Sequence, residues 1–224
     1  MSGHRIPGPL CGTGYEPVDD GTSTLWRTPA PGPLCSASGP TSEAARRWHL
    51  MSVPGGFPPK SMSLGPDGVT LLKAVEELHL KPYGDQTGKD IDQWVPGATI
   101  GFGHLIAKAD WATYKDGITD AAADALFAAD LTPFEAVVGS NITVGLQQYE
   151  FDALVIFAFN IGERGFKSSA VVRLINDPEA VTAYANLEAA WKAWNKSQGK
   201  VMKGLDNRRR CEWRIYTVAQ YERW

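Results

Sequence analysis

Three carboxylates, a threonine and two histidines lie close together in Val75-Glu76-Glu77-Leu78-His79-Leu80-Lys81-Pro82-Tyr83-Gly84-Asp85 and Thr99-Ile100-Gly101-Phe102-Gly103-His104. Glu76 falls at the end of an apolar helical stripe, where a carboxyl is partly withdrawn from water and its protonated form is favoured. Such a group can hold a proton and hand it to a leaving oxygen. Asp85 sits in a turn between Gly84 and Gln86, open to water and suited to the ionised form. Two carboxyls in opposite protonation states are what hydrolysis of a glycosidic bond needs. Thr99 adds a hydroxyl that can hold a water by donating and accepting hydrogen bonds. Gly101 and Gly103 leave one face of their strand bare, so that a bulky polymer can approach the backbone. His104 reads as a structural hydrogen-bonder beside the cleft in preference to a base. Tyr83, Trp94 and Phe102 are candidates for stacking on sugar rings, with packing of the hairpin as the alternative. Asp85, Asp90 and Asp92 do not follow a calcium-loop spacing, and there is no Cys-x-x-Cys or His-x-x-x-His pair, so neither a metal nor a cofactor is expected.

The elements that must position these residues begin near Gly65. Pro66-Asp67 opens a helix with Val69, Leu72, Val75 and Leu78 along one stripe. Pro82, Gly84, Gly88, Pro96, Gly97, Gly101 and Gly103 then break the helical period, and short strands with tight turns are expected over 80–105. Thr119-Asp120 caps a helix expected to bury Ala125, Leu126 and Ala129. Pro133 suits the first position of a new helix, where its missing N–H is not needed. Thr143 is expected to cap a long helix through Phe151, Leu154, Val155, Phe157 and Ala158, apolar nearly all round and therefore central. Asn141-Ile142-Thr143, which has the form of a glycosylation triplet, is read as this cap. Further helices are expected over 167–176, Pro178 to Lys196, and Lys203 onward. The sum is α+β: a small β-hairpin lobe, then a helical bundle lobe.

Residues 1–62 differ in kind. They hold ten of the fifteen prolines and repeat Pro-Gly-Pro-Leu-Cys at 7–11 and 31–35, so they read as an irregular extension, with a helical turn or two at most from Glu43 to Met51. Its role stays open between a tether, a targeting element and an export address. Hydrophobic residues at 43% and aromatics at 10% otherwise indicate a packed chain, and a net charge of −3 argues against a nucleic-acid binder. The longest apolar run, Ala153 to Phe159, is far short of the roughly 20 residues of a membrane span, and no signal peptide is expected. Cys11 and Cys35 pair only if the chain meets an oxidising compartment; free thiols are the alternative. Residues 192–224 carry nine Lys or Arg against three acids, while 64–191 carry eight against eighteen. A basic end on an acidic body suits an anionic polymer, or is simply a solvated helix.

The segment from Glu76 to His104 resembles the phage-type lysozymes of glycoside hydrolase family 24, the endolysins that cut bacterial peptidoglycan. Eight residues separate Glu76 from Asp85, as in the family pattern, and Thr99 to His104 matches its strand. Ala158-Phe159-Asn160-Ile161-Gly162 is similar to the family's turn after the central helix. Gly204-Leu205-x-x-Arg208-Arg209-x-x-Glu212 is similar to its C-terminal motif. The resemblance covers 65–224. It implies a lysozyme-like fold and hydrolysis of the β-1,4 bond between N-acetylmuramic acid and N-acetylglucosamine, with Glu76 as general acid, Asp85 and Thr99 holding the attacking water, and inversion at the anomeric carbon. It also implies that Arg208 pairs with Glu76, with Asn160, Phe102, Gly101, Gly103 and His104 in support. The basic stretch Lys192 to Arg214 would then hold the anionic wall. The thirteen residues from Gln86 to Ala98, more than the family pattern has, are expected to lengthen the hairpin and rim the cleft, and Glu77 adds a like charge beside Glu76. A lytic transglycosylase and a wall-binding module without catalysis are the alternatives. The implied setting is a monomer made in the bacterial cytoplasm that acts on peptidoglycan strands after passage through a holin pore or a secretion system, without stable membrane insertion.

Overall fold

Proline and glycine set where the first helix begins. In the computed structural model, which describes residues 56–197 and 199–224, helix α1 spans Pro66–Val75, with Gly65 extended at its N-cap and Pro66 in the first turn. The fixed φ of proline is ready-made for that position. The Gly65 N–H donates to the buried Asp152 carboxylate at 2.8 Å. Leu71 and Leu72 are buried, Val69 and Val75 half-buried, and Glu76 is already extended (φ −90°, ψ 121°) although its N–H still bonds Leu72 O. The helix thus stops one turn earlier than the stripe suggests, and Leu78 is exposed. Ahead of α1, Phe57 pairs with Leu146 and Pro59 is buried, so 56–62 pack on the helical lobe although their prolines group them with the extension. Residues 1–55 lie outside the described residues, and with them Cys11, Cys35, both Pro-Gly-Pro-Leu-Cys copies and the Glu43–Met51 turn.

Strands β1 (His79–Gly84), β2 (Lys89–Asp90), β3 (Ala98–Gly101) and β4 (His104–Leu105) form an antiparallel sheet in the order β2-β1-β3-β4. Strand β3 is buried throughout. It turns into β4 through Gly101 (φ 66°) and Gly103 (φ 98°), backbone states that glycine adopts without a Cβ clash. Ala98, Ile100 and Ile106 make a small core that Trp94 and Trp111 pack against. The Trp94 indole N–H donates to Ile106 O at 2.9 Å, which places that ring in the packing of the lobe.

After a short α2 (Trp111–Tyr114), Thr119 caps α3 (Asp120–Asn141), its Oγ1 accepting from the Ala122 N–H at 3.2 Å. The buried face is Ala123, Phe127 and Leu131; Ala125 and Ala129 are exposed and Leu126 half-buried, so the face lies beside the expected one. Pro133 sits inside this helix and does not start another. A proline there costs about 3 kcal/mol. Burial of Leu131, Val137 and Val138 on either side offsets it, at roughly 1.5–3 kcal/mol for each large apolar side chain.

Helix α4 (Gln148–Ser168) is the central one, buried at every residue from Phe151 to Ala158. Its cap is Gln147, through a reciprocal bond with Glu150, and not Thr143. Thr143 instead donates its N–H to Asn176 Oδ1 at 2.8 Å, and Asn176 donates back to Asn141 O at 2.7 Å. Gly162 breaks α4 with φ 78°, ψ 156°. Ser169 caps α5 (Ala170–Asn176), and Asn186 caps α6 (Leu187–Lys192). Residues 178–186 are not helical. The Asp177 carboxylate accepts the Glu179 N–H and Thr182 Oγ1 accepts the Tyr184 N–H, local bonds that compete with a helix. A two-stranded hairpin, β5 (Lys196–Ser197) and β6 (Lys200–Val201), precedes α7 (Lys203–Val218). Ala219 ends α7 in the left-handed conformation, and 219–224 fold back without helical structure. The architecture is α+β, a small sheet lobe beside a helical lobe built around α4.

Candidate active site

The cleft that holds the chemistry-bearing residues is lined by three parts of the chain. From the sheet lobe come Tyr83, Asp85, Thr99, Gly103 and His104; from α3 come Asp130, Pro133 and Phe134; from the helical core come Glu76 and Phe159. Its volume is about 650 Å³.

Glu76 stands just past the end of α1, its side chain 29% exposed, with Oε1 3.5 Å from Arg208 Nη1. Arg208, on α7, is nearly buried. Its Nε–H donates to Glu212 at 3.1 Å and its Nη2 to Ile156 O at 3.4 Å, and the Trp224 ring lies 4.5 Å from its Cζ. Glu212 is fully buried and also accepts from Arg209 at 2.8 Å and from the Trp191 indole at 3.0 Å. Burial pushes the Glu212 carboxyl up; its arginine neighbours and the Trp191 bond pull against that. Burial likewise lowers the Arg209 guanidinium to about 10, which leaves it charged at neutral pH. Arg209 donates to Asn160 Oδ1 at 2.7 Å. Asn160 therefore supports this ionic network and does not line the cleft.

Asp85 and Thr99 are brought together by the sheet in spite of the long stretch between them. Tyr83 pairs with Thr99, Gly84 with Ala98, and the Asp85 N–H donates to Gly97 O at 3.0 Å. The intervening residues are pinched at their base, and their β2 strand adds to the outer edge of β1. The Asp85 carboxylate is exposed and has no hydrogen-bond partner among the described residues. Thr99 is 5% exposed, and its hydroxyl donates to Gly97 O at 3.0 Å, which leaves its lone pairs to accept. The Tyr83 phenol beside them is raised, first by burial and then by Asp85, Glu76 and Glu77, so it stays neutral.

His104 pairs through Nδ1 with both oxygens of Asp130 at 3.0 Å, which fixes its ring at the edge of the cleft. Phe102 lines the cleft with its ring 5.2 Å from that of Phe127. Gly103 has open space where a Cβ would stand, whereas Gly101 is buried against Ile118 and Ala123 and shapes the turn without facing the cleft. Glu77 is exposed and points toward His79, 3.7 Å away. Asp130, Phe134 and Phe159 were not evident as cleft residues in the sequence. The positions 129, 130, 133 and 134 do share one face of α3, a spacing that marks such a wall.

The basic stretch Lys192 to Arg214 is largely matched internally. Arg208 and Arg209 are buried on Glu212, Arg210 pairs with Asp206, Arg214 with Glu222 and Lys192 with Glu188. Lys196, Lys200 and Lys203 remain exposed around the β5–β6 hairpin. Cys211 is a free thiol, half-buried and raised mainly by that burial. Among the described residues no group of three or more His, Cys, Asp or Glu could hold a metal ion, and no helix is long and apolar enough to cross a membrane.

The family model for phage lysozyme matches residues 73–212, a span that contains Glu76, Asp85, Thr99 and the Arg208–Glu212 network. The endolysin of Bacillus phage PZA is 35% identical over 156 residues, 69% of this chain; the match spans 55% of the relative's own length. The endolysin of Salmonella phage P22 is 35% identical over 153 residues, 67% of this chain and 95% of the relative. The solved endolysin from Escherichia coli O157:H7 phage FAHEc1 superposes with a TM-score of 0.57 at 29% identity, covering 73% of this chain and 98% of its own. With sheet, central helix and cleft arranged as described, the chain belongs to the phage lysozyme family.

Proposed function

We propose that this chain hydrolyses the β-1,4 bond between N-acetylmuramic acid and N-acetylglucosamine in peptidoglycan, inverting the anomeric carbon and using no cofactor. The observation that carries this reading is that Glu76, backed by Arg208, shares one cleft with Asp85 and Thr99, which come from the other lobe. Glu76 gives its proton to the bridging oxygen as the C1–O bond breaks. A water held by Asp85 and Thr99 attacks C1 from the opposite face, and its proton passes to Asp85. Because the Thr99 proton is engaged by Gly97 O, the hydroxyl accepts from that water and helps to aim its free lone pair. As Glu76 becomes a carboxylate, the guanidinium 3.5 Å away stabilises the charge that develops. Exchange with solvent then returns a proton to Glu76 and removes one from Asp85.

The test compares the wild type with Glu76→Gln on purified sacculi, with mass spectrometry of the products and NMR of the first-formed anomer. The expected outcome is new reducing ends that carry one solvent oxygen and appear as the α-anomer. The variant should be slower by on the order of a hundredfold or more, as removal of a general acid predicts. 1,6-Anhydro ends would replace hydrolysis with transglycosylation, and equal clearing by both proteins would remove Glu76 from its role.

A further inference from the structure

We infer that Trp224 is a positioning residue for the cleavage reaction, acting on Glu76 through Arg208; the inference rests on the role of Glu76 given above. Segment 219–224 leaves α7 through Ala219, the one non-glycine with positive φ (55°) among the described residues, and doubles back. It is pinned on the way. Arg214 holds Glu222 at 2.7 Å, and the Tyr221 hydroxyl donates to Asp152 at 2.6 Å. Asp152, 1% exposed, is the same carboxylate that accepts the Gly65 N–H at the start of α1. Three residues further on, the Trp224 ring lies against the Arg208 guanidinium, which reaches Glu76 just beyond the other end of α1. The segment therefore touches a partner of each end of the helix that presents Glu76.

The Arg208 contacts explain why the ring matters. Its Nε and Nη2 are engaged by Glu212 and Ile156 O, and Nη1 is aimed at Glu76 from 3.5 Å. These bonds engage the nitrogens at the edges of the planar group. The Trp224 ring, its centroid 4.5 Å from Cζ, limits rotation of the plane by a cation–π contact. Without that contact the guanidinium loses its fixed aim at the moment Glu76 gives up its proton. Interactions that strengthen only in the transition state act on kcat. Trp224 is not among the residues lining the cleft, so its loss leaves substrate binding in place.

The experiment measures kcat and KM on soluble peptidoglycan oligomers for the wild type, Trp224→Phe, Trp224→Ala and Glu76→Gln. Thermal unfolding and the NMR signal of the Arg208 Nε–H are recorded alongside. Trp224→Ala should lower kcat about tenfold with KM changed less than about twofold, and Trp224→Phe should restore most of the rate. The upfield ring-current shift of the Arg208 signal should persist in Trp224→Phe and vanish in Trp224→Ala. The inference is overturned if Trp224→Ala keeps its kcat, if KM rises in place of a fall in kcat, if the loss only tracks the unfolded fraction, or if Phe serves no better than Ala. Full activity of Trp224→Ala beside an inactive Glu76→Gln sinks this inference alone. An active Glu76→Gln sinks the role of Glu76 itself.

Discussion

Thr99 has one proton to donate, and in this fold Gly97 O takes it. That arrangement turns a residue of mixed hydrogen-bonding character into an acceptor aimed at the cleft. Thr99→Ser, which keeps the hydroxyl, should retain activity within about tenfold. Thr99→Val keeps the shape and should lower kcat by on the order of a hundredfold. The lost bond to Gly97 O should cost only about 1 kcal/mol in urea unfolding. A fully active Thr99→Val would remove the residue from the water-holding pair. That Glu76, Asp85 and Thr99 would share one cleft was legible in the sequence, since they stand at spacings that suit a helix end, a turn and a strand. Their partners were not. Asp130 reaches His104 from a helix 26 residues away, and Trp224 reaches Arg208 only because Ala219 reverses the chain. Neither meeting leaves a local pattern.

Helix α4 shows what an element requires when the chain must change direction inside it. Gly162, at φ 78° and ψ 156°, lies in a region that side chains with a Cβ avoid, although no atom crowds the position. Gly162→Ala should therefore lower stability by about 1–3 kcal/mol through backbone strain alone, read as a shift of the urea midpoint at unchanged slope. An unchanged midpoint would show that the break relaxes freely. Element starts were readable where a strong capping side chain stands in the right place, as at Thr119, or where proline opens the first turn, as at Pro66. The start of α4 is hard to read in the sequence because Gln147 is a weak capping residue taken alone; its bond with Glu150 three residues on is the signal that identifies it. Pro133 suggested a helix start because local rules price its missing N–H without knowing that Leu131 and Val138 are buried on either side.

Among the described residues two ion pairs, Lys192–Glu188 and Arg208–Glu76, join the basic end to the acidic body, while the other pairs of the basic end lie within it, and the tyrosines add a dependence on alkali. Burial raises Tyr216, and burial with the Asp152 carboxylate raises Tyr221, both well above the usual phenol range. In the unfolded chain these phenols lose their protons near pH 10. The stability they contribute is complete below that pH. It is lost progressively as pH rises toward their folded values, because the unfolded state gives up its protons first. Tyr221→Phe cannot ionise, so its stability should fall less steeply than the wild type's above about pH 10 in denaturant titrations. Equal slopes would show that the Tyr221–Asp152 bond does not couple to folding. The two-lobed architecture itself was legible from the change of period after Leu80, because alternation and helical repeat differ visibly over even a few residues. The distribution of charge was legible only as a sum, since which cations find internal partners is decided by folding.

The bond from the Asp85 N–H to Gly97 O has a bearing on how such an enzyme diversifies. It works like the neck of a purse, so that what hangs below it can grow or shrink without altering the opening. Variation in the excursion from Gln86 to Pro96 is thereby uncoupled from the cleft at its mouth, and under the proposed function its length can change while Glu76, Asp85 and Thr99 keep their arrangement.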